Sequence, residues 1–163
     1  MSFKSVNEIE EFRFDDCVIS CMEATDSDVR LQVEALIVKP RNSQNTNYTE
    51  SYAGTTDIIF ECGRIVSGVK DGYKYYNADE VLINEVPDTI LSEAEIKELM
   101  TSCQGAYLYE LEKKPEEDGL FYCNLCIEFV DEAENTMADS YRLLVSFENA
   151  VFKWEHYMNR VQS

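Results

Sequence analysis

Much of the chain alternates apolar and polar residues with a period of two, which is the pattern of half-buried β-strands. The clearest alternating stretches are 29–37, 121–129 and 141–147. A further β-like stretch at 12–22 places Cys17, Ile19 and Cys21 at period-two positions, so we expect them on one face. The pattern therefore predicts a mostly antiparallel sheet.

One segment has helical periodicity instead. Ser92 and Glu95 have the spacing of a capping box. In this motif a serine caps the start of the helix, and a glutamate three residues later bonds back to the backbone N–H of that serine. The apolar residues that follow recur at i, i+3, i+4 and i+7, and they are Ile96, Leu99, Met100 and Cys103. These features predict one main helix at about 92–103.

Together the elements predict an α+β or mainly-β fold, built as a sandwich or an open barrel. A chain of 163 residues fits a single domain. Residues 60–63 align with 147–150, and 29–37 align with 121–129, which suggests two similar ββ-loop-ββ halves at about 12–70 and 106–158, joined by the helical segment. An acidic segment at 131–139 is expected to be a loop.

The charge of the chain limits its partners. There are 32 acidic and 14 basic residues, which give a formal net charge of −18, while 45% of the residues are hydrophobic and can form a core. The excess charge must then lie on the surface, where it repels nucleic-acid phosphates and anionic lipids and attracts basic proteins. We therefore expect a basic protein partner, and neither nucleic acid nor membrane; the oligomeric state stays open.

The sequence shows no apolar stretch long enough for a signal peptide or a membrane span, so a cytoplasmic location is expected. In that reducing compartment we expect the six cysteines to be free, small, buried hydrophobic residues.

We expect no catalytic, cofactor-binding or metal-binding residues, and a protein that is not an enzyme. Cys123 and Cys126 have C-x-x-C spacing, but strand positions three apart point to opposite faces. His156 is the only histidine, and no nucleophile motif or nucleotide-binding loop accompanies it. Paired carboxylates are too frequent in this chain to indicate a site.

The tyrosines offer a candidate binding surface, since tyrosine combines contact area with a polar tip. Tyr48, Glu50 and Tyr52 lie in a polar loop at 40–54, whose length is typical of functional or mobile loops. Tyr73 and Tyr75 follow Asp71–Gly72, which predicts a hairpin turn. The alternative is that these aromatic side chains are buried in strands.

Four segments of the chain resemble a group of small acidic bacterial proteins of unknown function: 14–19, 42–49, 85–88 and 147–155. Some of those proteins carry a label that relates them to lantibiotic (subtilin) sensor kinases. This sequence lacks the glycine-rich nucleotide loops that such a kinase needs. The N-terminal strand also resembles, more loosely, immunity proteins of bacterial toxin systems, which are often small, acidic and β-rich.

The leading hypothesis is a non-enzymatic cytoplasmic binding protein whose acidic face meets a basic protein partner, as the resemblance to immunity proteins would imply. The alternative is a β-structure that binds a small ligand, or an enzyme, with its site in a cavity.

Overall fold

The computed structural model describes residues 2–129 and 139–160, without the side chains of Asn159 and Arg160. This part of the chain is mostly strand, with one α-helix, α1 (Glu93–Ser102), and a 3₁₀ turn at Ile9–Glu11. The strands are β1 (Phe3–Val6), β2 (Phe12–Arg13), β3 (Val18–Ala24), β4 (Asp28–Glu34), β5 (Ile37–Val38), β6 (Ser51–Ala53), β7 (Thr56–Glu61), β8 (Arg64–Lys70), β9 (Tyr73–Tyr76), β10 (Leu82–Val86), β11 (Thr89–Ile90), β12 (Tyr107–Glu117), β13 (Leu120–Phe129), β14 (Asp139–Phe147), β15 (Asn149–Trp154) and β16 (Tyr157–Arg160).

The predicted fold class is confirmed, because the strands form antiparallel sheets and the main helix lies where the periodicity placed it. No helix in the described ranges has both the length and the apolar character needed to cross a bilayer. Apart from Asp139, which begins β14, the acidic segment predicted as a loop lies outside the described residues.

The main sheet has ten strands in the order β1-β15-β7-β4-β3-β12-β13-β14-β8-β11, and it does not close into a barrel. We call the first five strands of this order the first arm and the last five the second arm. The arms meet at β3 and β12, where Ile19 N–H donates to the Ala106 carbonyl at 2.8 Å and Leu108 N–H donates to the Cys17 carbonyl at 3.0 Å. This short ladder is the only strand pairing between the arms in the described residues.

The chain passes twice from one arm to the other, and both passages lie at the same corner. β7 leads into β8 through Cys62 and Gly63, and β14 leads into β15 through Glu148, yet neither pair of strands is hydrogen-bonded to each other. Glu148 N–H donates to the Glu61 carbonyl at 2.9 Å, which ties the two passages together. The rings of Phe60 and Phe147 lie 5.0 Å apart between the arms, so the hydrophobic core is continuous across them.

The two arms of the main sheet have equivalent strand arrangements. Outward from the β3–β12 junction, each arm has a hairpin, then a strand reached by a longer connection, then a strand supplied from the other half of the sequence. Two similar halves would produce this symmetry, although each half gives its last strand to the other arm. The halves therefore share one core, and their duplication stays a prediction.

A small sheet of order β16-β6-β5-β2 packs beside the main sheet, with Phe12 of β2 stacked on Phe152 of β15 at 4.2 Å. β6 begins inside the segment expected to be a long loop, so that expectation is only partly correct. The rest of the loop is tied down, because the Asn45 side-chain amide donates to the carbonyl oxygens of Val38 and Thr49 at 3.1 and 2.9 Å.

The predicted helix boundaries agree with the structure. The Ser92 side chain accepts a hydrogen bond from Glu95 N–H at 3.2 Å, the Glu95 carboxylate accepts one from Ser92 N–H at 3.0 Å, and the two form the capping box. Leu99 and Cys103 are buried against the core, as the apolar stripe predicts. Gly105 follows at φ 87°, a conformation that glycine adopts without strain.

Two strand predictions are wrong in detail. The register of β3 shifts between Ile19 and Cys21, and this bulge moves Met22 into the core and leaves Cys21 exposed. β4 ends at Glu34 because Ala35 has φ 60°, so the alternating stretch does not continue into β5. Cys62 is also exposed, whereas the other four cysteines are buried as expected.

Candidate functional site

β9 and β10 form a two-stranded sheet of their own, separate from the ten-stranded sheet. We call residues 71–88 the ribbon. Val86 pairs with Tyr73 at its base, and Leu82 pairs with Tyr76 near its tip. The turn at the tip is closed by the side chain of Asn77, whose Oδ1 accepts hydrogen bonds from the N–H groups of Asp79 and Val81 at 2.9 and 3.0 Å.

Asp71–Gly72 is not the turn of a hairpin between β8 and β9, contrary to the sequence prediction. Those strands do not pair, and Gly72 lies instead where the two ends of the ribbon meet. A Cβ atom at Gly72 would overlap the carbonyl oxygen of Val86, so this close approach requires glycine. The Gly72 N–H donates to Oδ1 of Asp88 at 2.7 Å.

Arg142 fastens both ends of the ribbon to the second arm. Its Nε donates to Oδ1 of Asp71 at 2.6 Å, and its Nη2 donates to Oδ2 of Asp88 at 3.2 Å. The hydrogen bond to Asp71 is the main reason that the pKa of Arg142 is raised. Asp71 N–H also donates to the Ser140 carbonyl at 2.8 Å, which gives the ribbon a fixed base on β14.

The surface of the ribbon is apolar and aromatic, although almost all of it is exposed. Its six large exposed hydrophobic residues are Tyr73, Tyr75, Tyr76, Val81, Leu82 and Ile83. Ile83 is 64% exposed and Tyr76 57%, and Ile90 on the adjoining edge strand β11 is 80% exposed. The alternative that strands bury these tyrosines is therefore wrong. Five carboxylates and one lysine accompany the apolar groups within 71–88.

Tyr73 and Tyr75 lie on one face of β9, with their rings 4.8 Å apart and nearly perpendicular. Interaction with the neighbouring Tyr73 side chain raises the pKa of Tyr75. On the other face, Lys74 and Glu85 form an ion pair at 3.8 Å. The two faces of the ribbon thus differ: one presents paired aromatic rings, and the other a cross-strand ion pair.

The remaining predicted site residues are placed elsewhere and are partly engaged. The Tyr52 hydroxyl donates to Oδ2 of Asp16 at 2.7 Å, and this bond raises the pKa of Tyr52. Glu50 pairs with Arg13 at 3.3 Å. Tyr48 is 92% exposed and has φ 60°. No hydrogen bond, ion pair or ring contact of the described residues joins these three to the ribbon tyrosines, so the predicted set forms two separate groups.

Sequence reasoning missed the residues that make the ribbon a distinct surface. Asp88 and Arg142 are far apart in sequence, and nothing local indicates that they meet. The run of Val81, Leu82 and Ile83 indicates by its composition only a short strand. The only sequence feature that could have indicated the exposure of this run is its lack of apolar–polar alternation between polar neighbours. A strand that is buried on both faces shows the same lack of alternation, so the feature does not distinguish the two cases.

A group of possible metal ligands is found on the second arm. One ligand atom from each of Glu110, Glu112 and Cys126 lies within 4.8 Å of the others. Glu112 is already paired with Lys114, and burial together with the two glutamates raises the pKa of Cys126 to about 11, so its thiol is protonated at neutral pH. Burial likewise raises the pKa of Cys123 to about 12. Cys126 pairs with Glu110 on the outer face of β13, whereas Cys123 belongs to the core.

His156 is exposed, and its ring lies against Gly54, where a Cβ atom would come within 2.7 Å of the imidazole. It lines an open cleft of about 630 Å³ together with Thr55, Asp57 and Trp154. Thr55, Asp57 and His156 offer polar groups to this cleft, whereas Trp154 is buried, and no hydrogen bond of the described residues joins the imidazole to a nucleophile or an acid.

Comparison with known proteins adds no relative: no family model matches the chain, and no curated protein or solved structure does so.

Proposed function

We propose that the protein is a binding protein that uses the ribbon to contact a basic protein partner. The observation that carries this proposal is a rigidly anchored ribbon whose large apolar side chains are exposed rather than packed. Exposed apolar patches rimmed by polar groups are typical of protein interaction sites. The fixed base lowers the entropy that binding must overcome.

The sign of the partner's charge follows from the ribbon and from the whole molecule. The ribbon carries five carboxylates and one lysine, and the chain has a net charge of −18. A basic surface would be steered toward it at long range, and the tyrosines and aliphatic groups would then fix the register by short-range packing. Tyr73 and Tyr75 are the aromatic anchors in this proposal, and Tyr76, Ile83 and Ile90 are further exposed apolar groups outside that pair.

The experiment compares the full chain with a double variant, Tyr73→Ser and Tyr75→Ser. Both residues are exposed, so the variant should fold while the aromatic anchors are removed. Each protein is immobilised and exposed to lysate of the source cells at low salt, and the retained proteins are quantified by mass spectrometry. We expect a basic protein that the native chain retains and the double variant loses. The matched control is Met158→Ser, since Met158 is 61% exposed but belongs to the small sheet.

The captured partner is then purified, and its association rate is measured at several salt concentrations. We expect the rate to fall by about tenfold or more between about 20 and 300 mM NaCl, as electrostatic steering requires. Equal retention of every captured protein by the double variant would exclude the ribbon as the binding surface. An association rate that does not change with salt would contradict the steering.

An immunity-type role is the most specific form of this proposal. In that form the partner is a basic toxin, and the ribbon covers the surface that the toxin needs. Its support is the acidic charge and the resemblance to immunity proteins described above. The competing proposal, a small-ligand site or an enzyme, would place the site in the cleft beside His156. A small ligand that binds in this cleft with the same affinity in the native chain and in the ribbon variants would favour the competing proposal.

A further inference from the structure

β8 has an unpaired backbone edge at the end far from the ribbon. On one side it pairs with β14, with a bulge at Val66, and on the other it pairs with β11 only at Val69 and Lys70. Leu91 N–H then donates to the Gly68 carbonyl at 2.9 Å, after which the chain turns into α1. Within the described ranges, no strand covers the edge at 64–67. Such an edge can accept a further strand.

A cleft of about 520 Å³ borders the start of this edge, at Arg64 and Ile65, and its volume is within the range of ligand sites. Ile65 of β8 forms part of its wall, with Ile96 and Met100 of α1 opposite. The turn between β3 and β4, at 24–26, contributes the remaining side. A strand edge facing an apolar helix surface offers both main-chain hydrogen bonds and a pocket for a side chain, which is the arrangement used in β-strand addition.

The rim of the cleft carries charges of both signs. Arg64 and Lys97 are basic, and Asp26 and Glu93 are acidic. Neither Arg64 nor Lys97 takes part in an ion pair of the described residues, although acidic residues greatly outnumber basic ones in the chain. An occupant that complements this rim carries one acidic and one basic side chain.

We propose that this cleft binds an extended peptide segment in which an aliphatic residue is flanked by one acidic and one basic residue. The segment adds to the edge of β8 as a strand, and its aliphatic side chain packs against Ile96 and Met100. Its carboxylate faces Arg64 and Lys97. The two flanking charges cancel, so the acidic field of the protein neither attracts nor repels the segment at long range. This site is independent of the ribbon.

The probe is a peptide selected on the full chain from a displayed library of random peptides, about ten residues long, which is enough to cover the edge at 64–67 with residues to spare on both sides. The selected peptide is synthesised with a fluorescent label, and its affinity is measured by anisotropy. We expect a selected sequence with the flanked aliphatic residue. On saturation, hydrogen exchange of the amides at 64–67 should slow by about tenfold or more. Exchange in the ribbon should not change.

Charge reversal tests the rim. Lys97→Glu should weaken peptide binding by about fivefold, the loss of roughly 1 kcal/mol of a partly exposed ion pair. Arg64→Glu is the second variant, and both residues are exposed, so folding should be preserved. The matched control is Lys153→Glu, because Lys153 is exposed and lines a different cleft. A peptide methylated on alternate backbone nitrogens should not bind, because it cannot form the strand ladder.

Three results would overturn the proposal. One is a selection that yields no saturable peptide. Another is a peptide that binds while exchange at 64–67 stays unchanged. The third is equal weakening by Lys97→Glu and Lys153→Glu. Because the ribbon is untouched in all these variants, failure here leaves the proposed partner binding by the ribbon to be judged by its own experiment.

Discussion

A single carboxylate, that of Glu8, holds the start of the 40–49 segment against the first arm. Its two oxygens accept hydrogen bonds from Ser43 N–H, from the Ser43 hydroxyl and from the Ser5 hydroxyl at 2.9, 2.5 and 2.8 Å. Burial alone would raise the pKa of Glu8, but these hydrogen bonds outweigh it and the pKa is lowered. The sequence around Glu8 does not indicate this role, because Ser43, which donates two of the three hydrogen bonds, is 35 residues away.

Replacing Glu8 by glutamine should remove a pH-dependent contribution to stability. Because the pKa of Glu8 is lower in the folded chain than its ordinary value of 4.5, the contribution is complete above pH 4.5 and is lost as pH falls through the folded value. We expect Glu8→Gln to lower the free energy of unfolding by about 1 kcal/mol or less near pH 7, given the partial exposure of the group.

The measurement is denaturant unfolding of both proteins between about pH 3 and pH 7, a range that brackets the titration of glutamate. The difference in the free energy of unfolding between the two proteins should become smaller below pH 4.5, the ordinary pKa of this group. Glu23→Gln is the control, since the Glu23 side chain is exposed and forms no hydrogen bond or ion pair among the described residues. If the difference in the free energy of unfolding between the native chain and Glu8→Gln is the same at every pH, the ionised carboxylate of Glu8 does not contribute to stability.

At the scale of elements, the sequence predicts the structures that contacts between neighbouring residues stabilise. The helix was predicted with its cap because Ser92 and Glu95 bond within one turn, and α1 needs no distant partner to begin there. The ribbon was not predicted, because a strand pattern does not state which strand it pairs with. Asp71–Gly72 has the composition of a hairpin turn, yet its conformation is decided by Asp88 and by the backbone of Val86.

The anchoring of the ribbon predicts the effect of Arg142→Gln. This change removes the ion pairs to Asp71 and Asp88, which hold the two ends of the ribbon on β14. We expect the ribbon amides at 73–76 and 82–86 to exchange about tenfold faster, since a locally opened state becomes more populated. The free energy of unfolding of the whole chain should fall by only about 1 kcal/mol, because these pairs are partly exposed.

Hydrogen exchange read by mass spectrometry checks this prediction. The control is Arg30→Gln, which removes a surface ion pair to Asp28 on the first arm and should leave the ribbon amides unchanged. If exchange of the ribbon amides is the same in the native chain and in Arg142→Gln, the arginine does not anchor the ribbon.

At the scale of the whole molecule, the net charge of −18 opposes the compact state. Raising NaCl from about 10 mM to about 100 mM shortens the screening length from roughly 30 Å to roughly 10 Å. We expect the thermal midpoint to rise by roughly 2–4 °C, which corresponds to about 1 kcal/mol in a chain of this size. Calorimetry at neutral pH measures the thermal midpoint at both salt concentrations. Near pH 4.3, the isoelectric point from the sequence, the rise should vanish, and a rise of equal size there would exclude self-repulsion as its cause.

The sequence by itself determined the alternating strands, the capped helix and the sign of the surface charge. These properties depend on residue type and on spacing along the chain, so neighbours in sequence are enough to specify them. Tertiary structure decided the exchange of β8 and β15 between the arms, the bulge that turns Cys21 outward, and the exposure of the ribbon. Each of these depends on which strands pair and which faces are covered. Pairing joins residues far apart in the chain, and an apolar run looks the same in sequence whether another strand buries it or a partner protein does.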